Sequence, residues 1–102
     1  MRKYGHFING AEAAPASGAY MPTVNPYTGE AWAEIARGDA ADVNSAAKAA
    51  QAAFEGAWGA FSPSERGRLM RRAADLIIEN AEQIAAIEQR DNGKLAAEVT
   101  AQ

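Results

Sequence analysis

The spacing of apolar residues changes period at Gly38. Short alternating runs broken by Gly, Pro and Thr fill residues 1–37, and a helical repeat fills 39–102. His6-Phe7-Ile8 followed by Asn9-Gly10 predicts a strand entering a type I′ turn, because Asn-Gly tolerates the positive φ that this turn demands. Ala11 to Ala13 is the expected return strand. Tyr20 to Val24 reads as a second extended segment, closed by Asn25-Pro26, where proline turns its neighbour away from helix. After the turn Tyr27-Thr28-Gly29-Glu30, a third run spans Ala31 to Ala36, with Trp32 on one side and Ala33 and Ile35 on the other. Together these predict an antiparallel ribbon.

Asp39 is placed to cap a first helix and Asp42 to complete an acidic first turn against its dipole. That helix is expected to run to about Phe54 or Ala57. Its inward stripe would be Val43, Ala46, Ala47, Ala50, Ala53, Phe54, Ala57 and Trp58, with Gly56 and Gly59 ending it around Trp58. Ser62-Pro63-Ser64-Glu65 is a capping box with proline at the first helical position, so a second helix starts there. Leu69, Met70, Ala73, Leu76, Ile77, Ala81, Ile84 and Ile87 share its apolar face. Glu79-Asn80 predicts a break, with Asn80 capping the continuation. Asn92-Gly93 is the expected stop, with Arg90 complementing the dipole in the last turn. Lys94 to Gln102 would open a third helix, and its lack of any stop signal leads us to expect a segment cut from a longer chain.

Composition alters this picture by showing how little there is to bury. Of 102 residues 48% are hydrophobic, yet 26 are Ala and only 15 are Leu, Ile, Val or Phe. An alanine buries too little surface to offset the entropy of ordering it, whereas a buried Leu, Ile or Phe contributes roughly 1.5–3 kcal/mol. Ordered helices that need a surface from elsewhere are therefore expected. The net charge is -3, which gives no basic footprint for nucleic acid. No apolar run approaches a membrane span, and a cytoplasmic setting is the expectation.

Candidate chemistry is sparse. There is no cysteine and one histidine, which excludes disulfides, thiolate metal sites and sites built on His pairs. His6 is expected to be a solvated residue near a terminus. Nine scattered glycines never form a dinucleotide fingerprint or a phosphate loop. Arg68, Arg71 and Arg72 share a polar face with Asp75, so pairing along the helix accounts for them better than a phosphate contact. Arg66 falls in line with Ile84 on the apolar face and is expected to be partly buried and paired.

The order of these motifs resembles the N-terminus of the aldehyde dehydrogenase superfamily. The pieces are Phe7-Ile8-Asn9-Gly10, Thr23-Val24-Asn25-Pro26, Thr28-Gly29-Glu30, Gly38-Asp39, Asp42-Val43, Glu65-Arg66, Ala74-Asp75-Leu76-Ile77 and Asp91-Asn92-Gly93-Lys94, in sequence without large gaps. Each is weak alone; the succession is specific. Leu95 departs from the proline that many members carry after the Asp-Asn-Gly-Lys run.

The resemblance implies an α/β parent with a Rossmann-type coenzyme domain. Residues 1–37 would be a β-ribbon arm and 38–102 the helical part of an incomplete coenzyme-binding domain. It implies an NAD- or NADP-dependent oxidation of an aldehyde to a carboxylic acid by a nucleophilic cysteine, a general-base glutamate and an oxyanion-hole asparagine. None of those groups, nor the coenzyme glycine turn, has a counterpart here, so no catalytic or cofactor-binding residue is assigned and no cofactor is expected on this chain alone. It further implies a structural monovalent cation on main-chain oxygens of Thr23 and Val24 and on Asp91. The expected partners are the rest of the same polypeptide and, in the parent, further copies of it. The rival reading is a free-standing helical hairpin that binds a partner protein through its Ala-rich and Ile-rich faces.

Overall fold

The computed structural model describes residues 1–94, so of the third helix expected over Lys94 to Gln102 all but Lys94, Leu95 included, lies outside the described residues. Five strands precede four helices: β1 (Arg2–Tyr4), β2 (His6–Ile8), β3 (Ala11–Ala13), β4 (Tyr20–Val24), β5 (Ala31–Ala36), α1 (Ala40–Glu55), α2 (Ala57–Ala60), α3 (Pro63–Glu79) and α4 (Ala81–Asn92). This is the short β region followed by helices that the pattern predicts.

The hairpin forms as expected. Asn9 and Gly10 take φ of 55° and 77°, and β2 pairs antiparallel with β3 in the register His6↔Ala13, Phe7↔Glu12. The single ribbon does not form. β2 and β3 make a sheet of their own, and β4 and β5 join a second sheet in the order β1-β5-β4. β1 runs parallel to β5, Arg2 opposite Ala33 and Tyr4 opposite Ile35. A three-residue strand of Arg, Lys and Tyr has no alternation to announce it, and a parallel partner far along the chain leaves no turn signal. Side chains secure the pairing: Lys3 Nζ lies 3.9 Å from Glu34 and 4.8 Å from the Tyr20 ring centre, and Tyr4 meets Trp32 edge-on at 6.1 Å.

α1 begins at the predicted Asp39 cap, which the structure completes as a reciprocal box: the Asp39 carboxylate accepts the Ala41 and Asp42 N–H groups, and the Asp42 carboxylate accepts the Asp39 N–H. The stripe is rotated from the expected one: Ala46, Ala50 and Ala53 line a groove with Phe7 to Gly10, but Val43 and Phe54 are 66% and 70% exposed. The face turned inward carries Asp42 and Ala49. A polar anchor at Asp42 sets the rotation of the helix, and an alanine-rich surface offers too little apolar moment to oppose it. α1 stops at Glu55, and after Gly56 a single separate turn, α2, brings the Trp58 ring edge-on to Phe61 at 6.1 Å.

Ser62 Oγ accepts the Glu65 N–H at 3.1 Å and Glu65 returns the bond to the Ser62 N–H, also at 3.1 Å. A cap of this kind contributes about 1 kcal/mol. The Ser62 amide, then its hydroxyl and the Arg66 charge, hold the Glu65 carboxyl below its ordinary value, partly offset by desolvation. Arg66 is the one residue of α3 that is not exposed, and it is engaged rather than free, as its place on the apolar face predicts. Arg72 pairs with Glu79 at 3.5 Å, one turn beyond the expected Asp75; both side chains are solvated, so the pair adds little. Asn80 breaks the helix but does not cap the continuation: its side-chain amide donates backwards to the Leu76 carbonyl at 2.8 Å. At φ -109° and ψ 18°, close to the bridge region, its amide reaches the freed carbonyl more readily than the next turn. Gly93, at φ 75°, ends α4 in the left-handed conformation.

Two compact units share the chain, Met1–Thr23 with Trp32–Phe61, and Val24–Ala31 with Ser62 onward. Among the described residues Ala33 is the one buried hydrophobic residue and Asp42 the one buried charged residue. Leu69, Leu76, Ile77, Ile84 and Ile87 on α3 and α4 all remain at least 41% exposed. The apolar face predicted for these helices exists and is uncovered.

Candidate functional site

Thr23 and Val24 close β4, Thr23 half-buried and Val24 exposed. Beyond them the chain folds back through a tightly bonded turn. The Asn25 N–H donates to the Glu30 carbonyl at 2.9 Å, the Gly29 N–H to the Asn25 carbonyl at 2.8 Å, and the Tyr27 N–H to Asn25 Oδ1 at 2.9 Å. Gly29, at φ 75°, occupies the position where a Cβ would be strained.

Asp91 stands on the last turn of α4, exposed but not free. The helix end beside it is closed by the Gly93 N–H on the Gln89 carbonyl at 2.8 Å and by the Lys94 N–H on Asn92 Oδ1 at 2.9 Å. Val24 and Asp91 belong to the same compact unit, whereas Thr23 ends the other. Within the shared unit a Cβ added to Gly93 would lie 2.8 Å from Pro26 Cγ, so the turn after β4 is packed against the end of α4. A cavity of 470 Å³ opens beside this contact, lined by Asn25, Tyr27, Gln89, Arg90 and Lys94 among others. Thr23, Val24 and Asp91 are not among its lining residues. No three His, Cys, Asp or Glu side chains gather into a metal-binding group among the described residues.

The sharpest electrostatic feature is elsewhere, at the start of α1, where sequence reasoning assigned Asp42 only a dipole role. Its Oδ1 accepts the Ala16 N–H at 2.9 Å and its Oδ2 the Asp39 N–H at 3.0 Å. Those bonds, the Ala16 one first, hold the carboxyl below its ordinary value against the opposing effect of desolvation, and His6 adds to the lowering. His6 is not the solvated residue expected: its side chain is 22% exposed, with Nε2 at 3.4 Å from Asp42 Oδ2. The Asp39 cap is legible in the sequence; the bond Asp42 returns to the Asp39 N–H is not. The Ala16 and His6 contacts reach across 26 and 36 positions and have no local signal.

The two longest described helices open on N–H groups that their own side chains engage, Asp39 at α1 and Ser62 at α3. A dinucleotide phosphate needs such groups free. At α1 and α3 those groups are engaged within the chain.

The profile of the aldehyde dehydrogenase family matches residues 13–102. The chain belongs to the aldehyde dehydrogenase family. A mitochondrial family 2 member B4 aldehyde dehydrogenase from Arabidopsis thaliana is 49% identical over 88 residues, which are 85% of this chain and 16% of that protein. The mitochondrial aldehyde dehydrogenase of Homo sapiens is 47% identical over 90 residues, 86% of this chain and 17% of that protein. Among solved structures, an aldehyde dehydrogenase from Burkholderia cenocepacia superposes with a TM-score of 0.93 at 43% identity, covering 95% of this chain and 20% of the other. An NAD⁺ complex of the Bacillus cereus enzyme gives a TM-score of 0.91 at 36% identity over 94% of this chain. The chain thus spans about a fifth or less of the length of the family members it matches. The fold is that of a segment of an α/β family, a short β region leading into helices.

Proposed function

We propose that this chain is a structural segment of an NAD(P)-dependent aldehyde dehydrogenase that oxidises an aldehyde to a carboxylic acid, and that it contributes scaffold rather than chemistry. The observation that carries the reading is the pairing of family membership with an uncovered apolar face. Isoleucines and leucines of α3 and α4 stay exposed in a chain that matches only a fifth of its relatives. Burying such a face gains roughly 25 cal/mol for each Å² of apolar surface covered. The rest of the polypeptide is its natural cover, with residues 1–37 as an arm and 38–102 as the helical part of the coenzyme-binding domain. Further copies of the protein and a cytoplasmic setting complete the reading; no described helix is long and apolar enough to cross a membrane. The experiment is to express the complete gene and follow NADH or NADPH formation with a panel of aldehydes. Coenzyme reduction that needs a cysteine encoded outside these residues is expected. A full-length product inert with every aldehyde and either coenzyme would end the proposal.

A second part of the reading concerns Thr23, Val24 and Asp91 as holders of a structural monovalent cation. One carboxylate and two main-chain oxygens suit a singly charged alkali ion better than a divalent one. The packing of Pro26 on Gly93 supports it for Val24 and Asp91, which share one unit. The full-length protein is expected to melt a few degrees higher, on the order of 2–4 °C, in Na⁺ or K⁺ than in an equal concentration of tetramethylammonium. Asp91→Asn should abolish the difference. An equal melt in all three salts would remove the cation.

A further inference from the structure

We propose that Asn9 is a site of spontaneous modification, where the Gly10 nitrogen displaces the side-chain amide and the resulting isoaspartate opens the β2–β3 hairpin. The sequence holds two Asn-Gly pairs, Asn9-Gly10 and Asn92-Gly93. Asparagine is a thermolabile residue, and a following glycine puts no Cβ in the way of the attacking nitrogen. By sequence the two pairs are equals. By structure they are not.

Both asparagines are exposed, so solvent access does not distinguish them. Bonding does. The Asn92 carboxamide is held at both ends, Nδ2 donating to Glu88 Oε1 at 3.4 Å and Oδ1 accepting the Lys94 N–H at 2.9 Å. The Gly93 N–H, whose nitrogen would attack it, donates to the Gln89 carbonyl at 2.8 Å, and a Cβ on Gly93 would meet Pro26 Cγ at 2.8 Å. Ring closure at Asn92 therefore requires unwinding the end of α4.

Asn9 has no such ties. Among the described residues no hydrogen bond engages its carboxamide or the Gly10 N–H, and nothing lies within 4 Å of a Cβ placed on Gly10. It is also the one non-glycine residue described with a positive φ, 55°, a backbone region that a side chain makes costly. The ladder behind the turn is a two-stranded sheet of three residue pairs, a kind that opens locally with ease. The rotation that ring closure needs is available there.

Hydroxide takes the Gly10 amide proton and the freed nitrogen attacks Asn9 Cγ. A bond forms between that nitrogen and Cγ, the Cγ–Nδ2 bond breaks, and Nδ2 leaves as ammonia with a proton from water, which regenerates the hydroxide. Water then opens the five-membered succinimide at either carbonyl. Attack at Cγ leaves aspartate. Attack at the main-chain carbonyl carbon breaks its bond to the Gly10 nitrogen and leaves isoaspartate, with the chain routed through the former side chain. One water is consumed, one ammonia is released, and nothing is oxidised or reduced.

The two products act differently on the hairpin. Aspartate keeps the length of the main chain and suits the same turn. Isoaspartate adds a carbon to the backbone, so the two-residue loop no longer sets the register Phe7↔Glu12. The groove that Phe7, Ile8, Asn9 and Gly10 form with Ala46, Ala49, Ala50 and Ala53 of α1 then loses its hairpin wall. None of this rests on the dehydrogenase reading.

The test is peptide mapping by mass spectrometry of the full-length protein aged at about pH 7.5 and about pH 8.5. Conversion at Asn9 should run roughly tenfold or more ahead of Asn92, whose helix-end bonds must open first. It should rise about tenfold between the two pH values, as the deprotonated share of the amide does. In urea, where neither site keeps its bonds, the two should convert alike. Hydrogen exchange over residues 6–13 should be faster in the aged protein than in fresh Asn9→Asp, which carries the charge without the added carbon. Equal conversion of Asn9 and Asn92 in the folded protein, or a difference that persists in urea, overturns the site. An aged hairpin as protected as that of Asn9→Asp overturns its opening.

Discussion

Gly59→Ala should leave the full-length protein largely insoluble or unfolded, at a cost of more than about 3 kcal/mol. The Cβ it adds would collide with the carbonyl of Phe54, a backbone group that cannot swing aside as a side-chain tip would. Relief requires moving the end of α1 against α2, and that junction also seats Trp58 on Phe61. Gly67→Ala makes the control. Gly67 lies within α3 with nothing near its absent Cβ, so alanine there should stabilise by roughly 0.5–1 kcal/mol. Denaturant unfolding of the two variants beside the wild type checks both signs. Equal stability for Gly59→Ala would mean that the α1–α2 junction yields more readily than its geometry indicates.

Residues 1–102 prepared alone should show helical circular dichroism that fades on heating without a sharp transition, or should aggregate. A cooperative two-state melt requires a buried interior whose loss is all-or-none, and the described interior amounts to Pro15, Ala33 and a polar anchor at Asp42. The local devices survive excision: two capping boxes, a type I′ turn and a left-handed helix stop are each complete within a few residues. They stabilise elements one at a time, by about 1 kcal/mol per cap, without coupling them. Thermal scans at several concentrations would distinguish the outcomes. A sharp, concentration-independent transition would mean that these residues need no further surface.

The same division explains which features could be read from the residues. Asp39, Ser62-Pro63-Ser64-Glu65, Asn9-Gly10 and Asn92-Gly93 act on neighbours within about a turn, so their chemistry is written where it operates. Arg66 was found because the helical period placed a charge on an apolar face. What escaped depends on partners far along the chain: β1 on β5, the Ala16 amide and His6 on Asp42, and the rotation of α1 that Asp42 imposes. The Asn80 side chain escaped for a different reason, because an asparagine at a helix junction serves the turn before it as readily as the turn after. As for the candidate site, the sequence located Val24 and Asp91 on elements that the structure packs into one unit, through the contact of Pro26 with Gly93.

The parallel pairing of Arg2 with Ala33 sets an order of events during synthesis. Arg2 to Tyr4 leave the ribosome roughly 30 residues ahead of the strand they bind, a delay of a few seconds at ordinary elongation rates. Throughout that interval the hairpin of His6 to Ala13 is free to form, its partners being adjacent. Arg2 to Tyr4 must therefore wait, unpaired beside a finished hairpin, until Ala31 to Ala36 arrives to receive them.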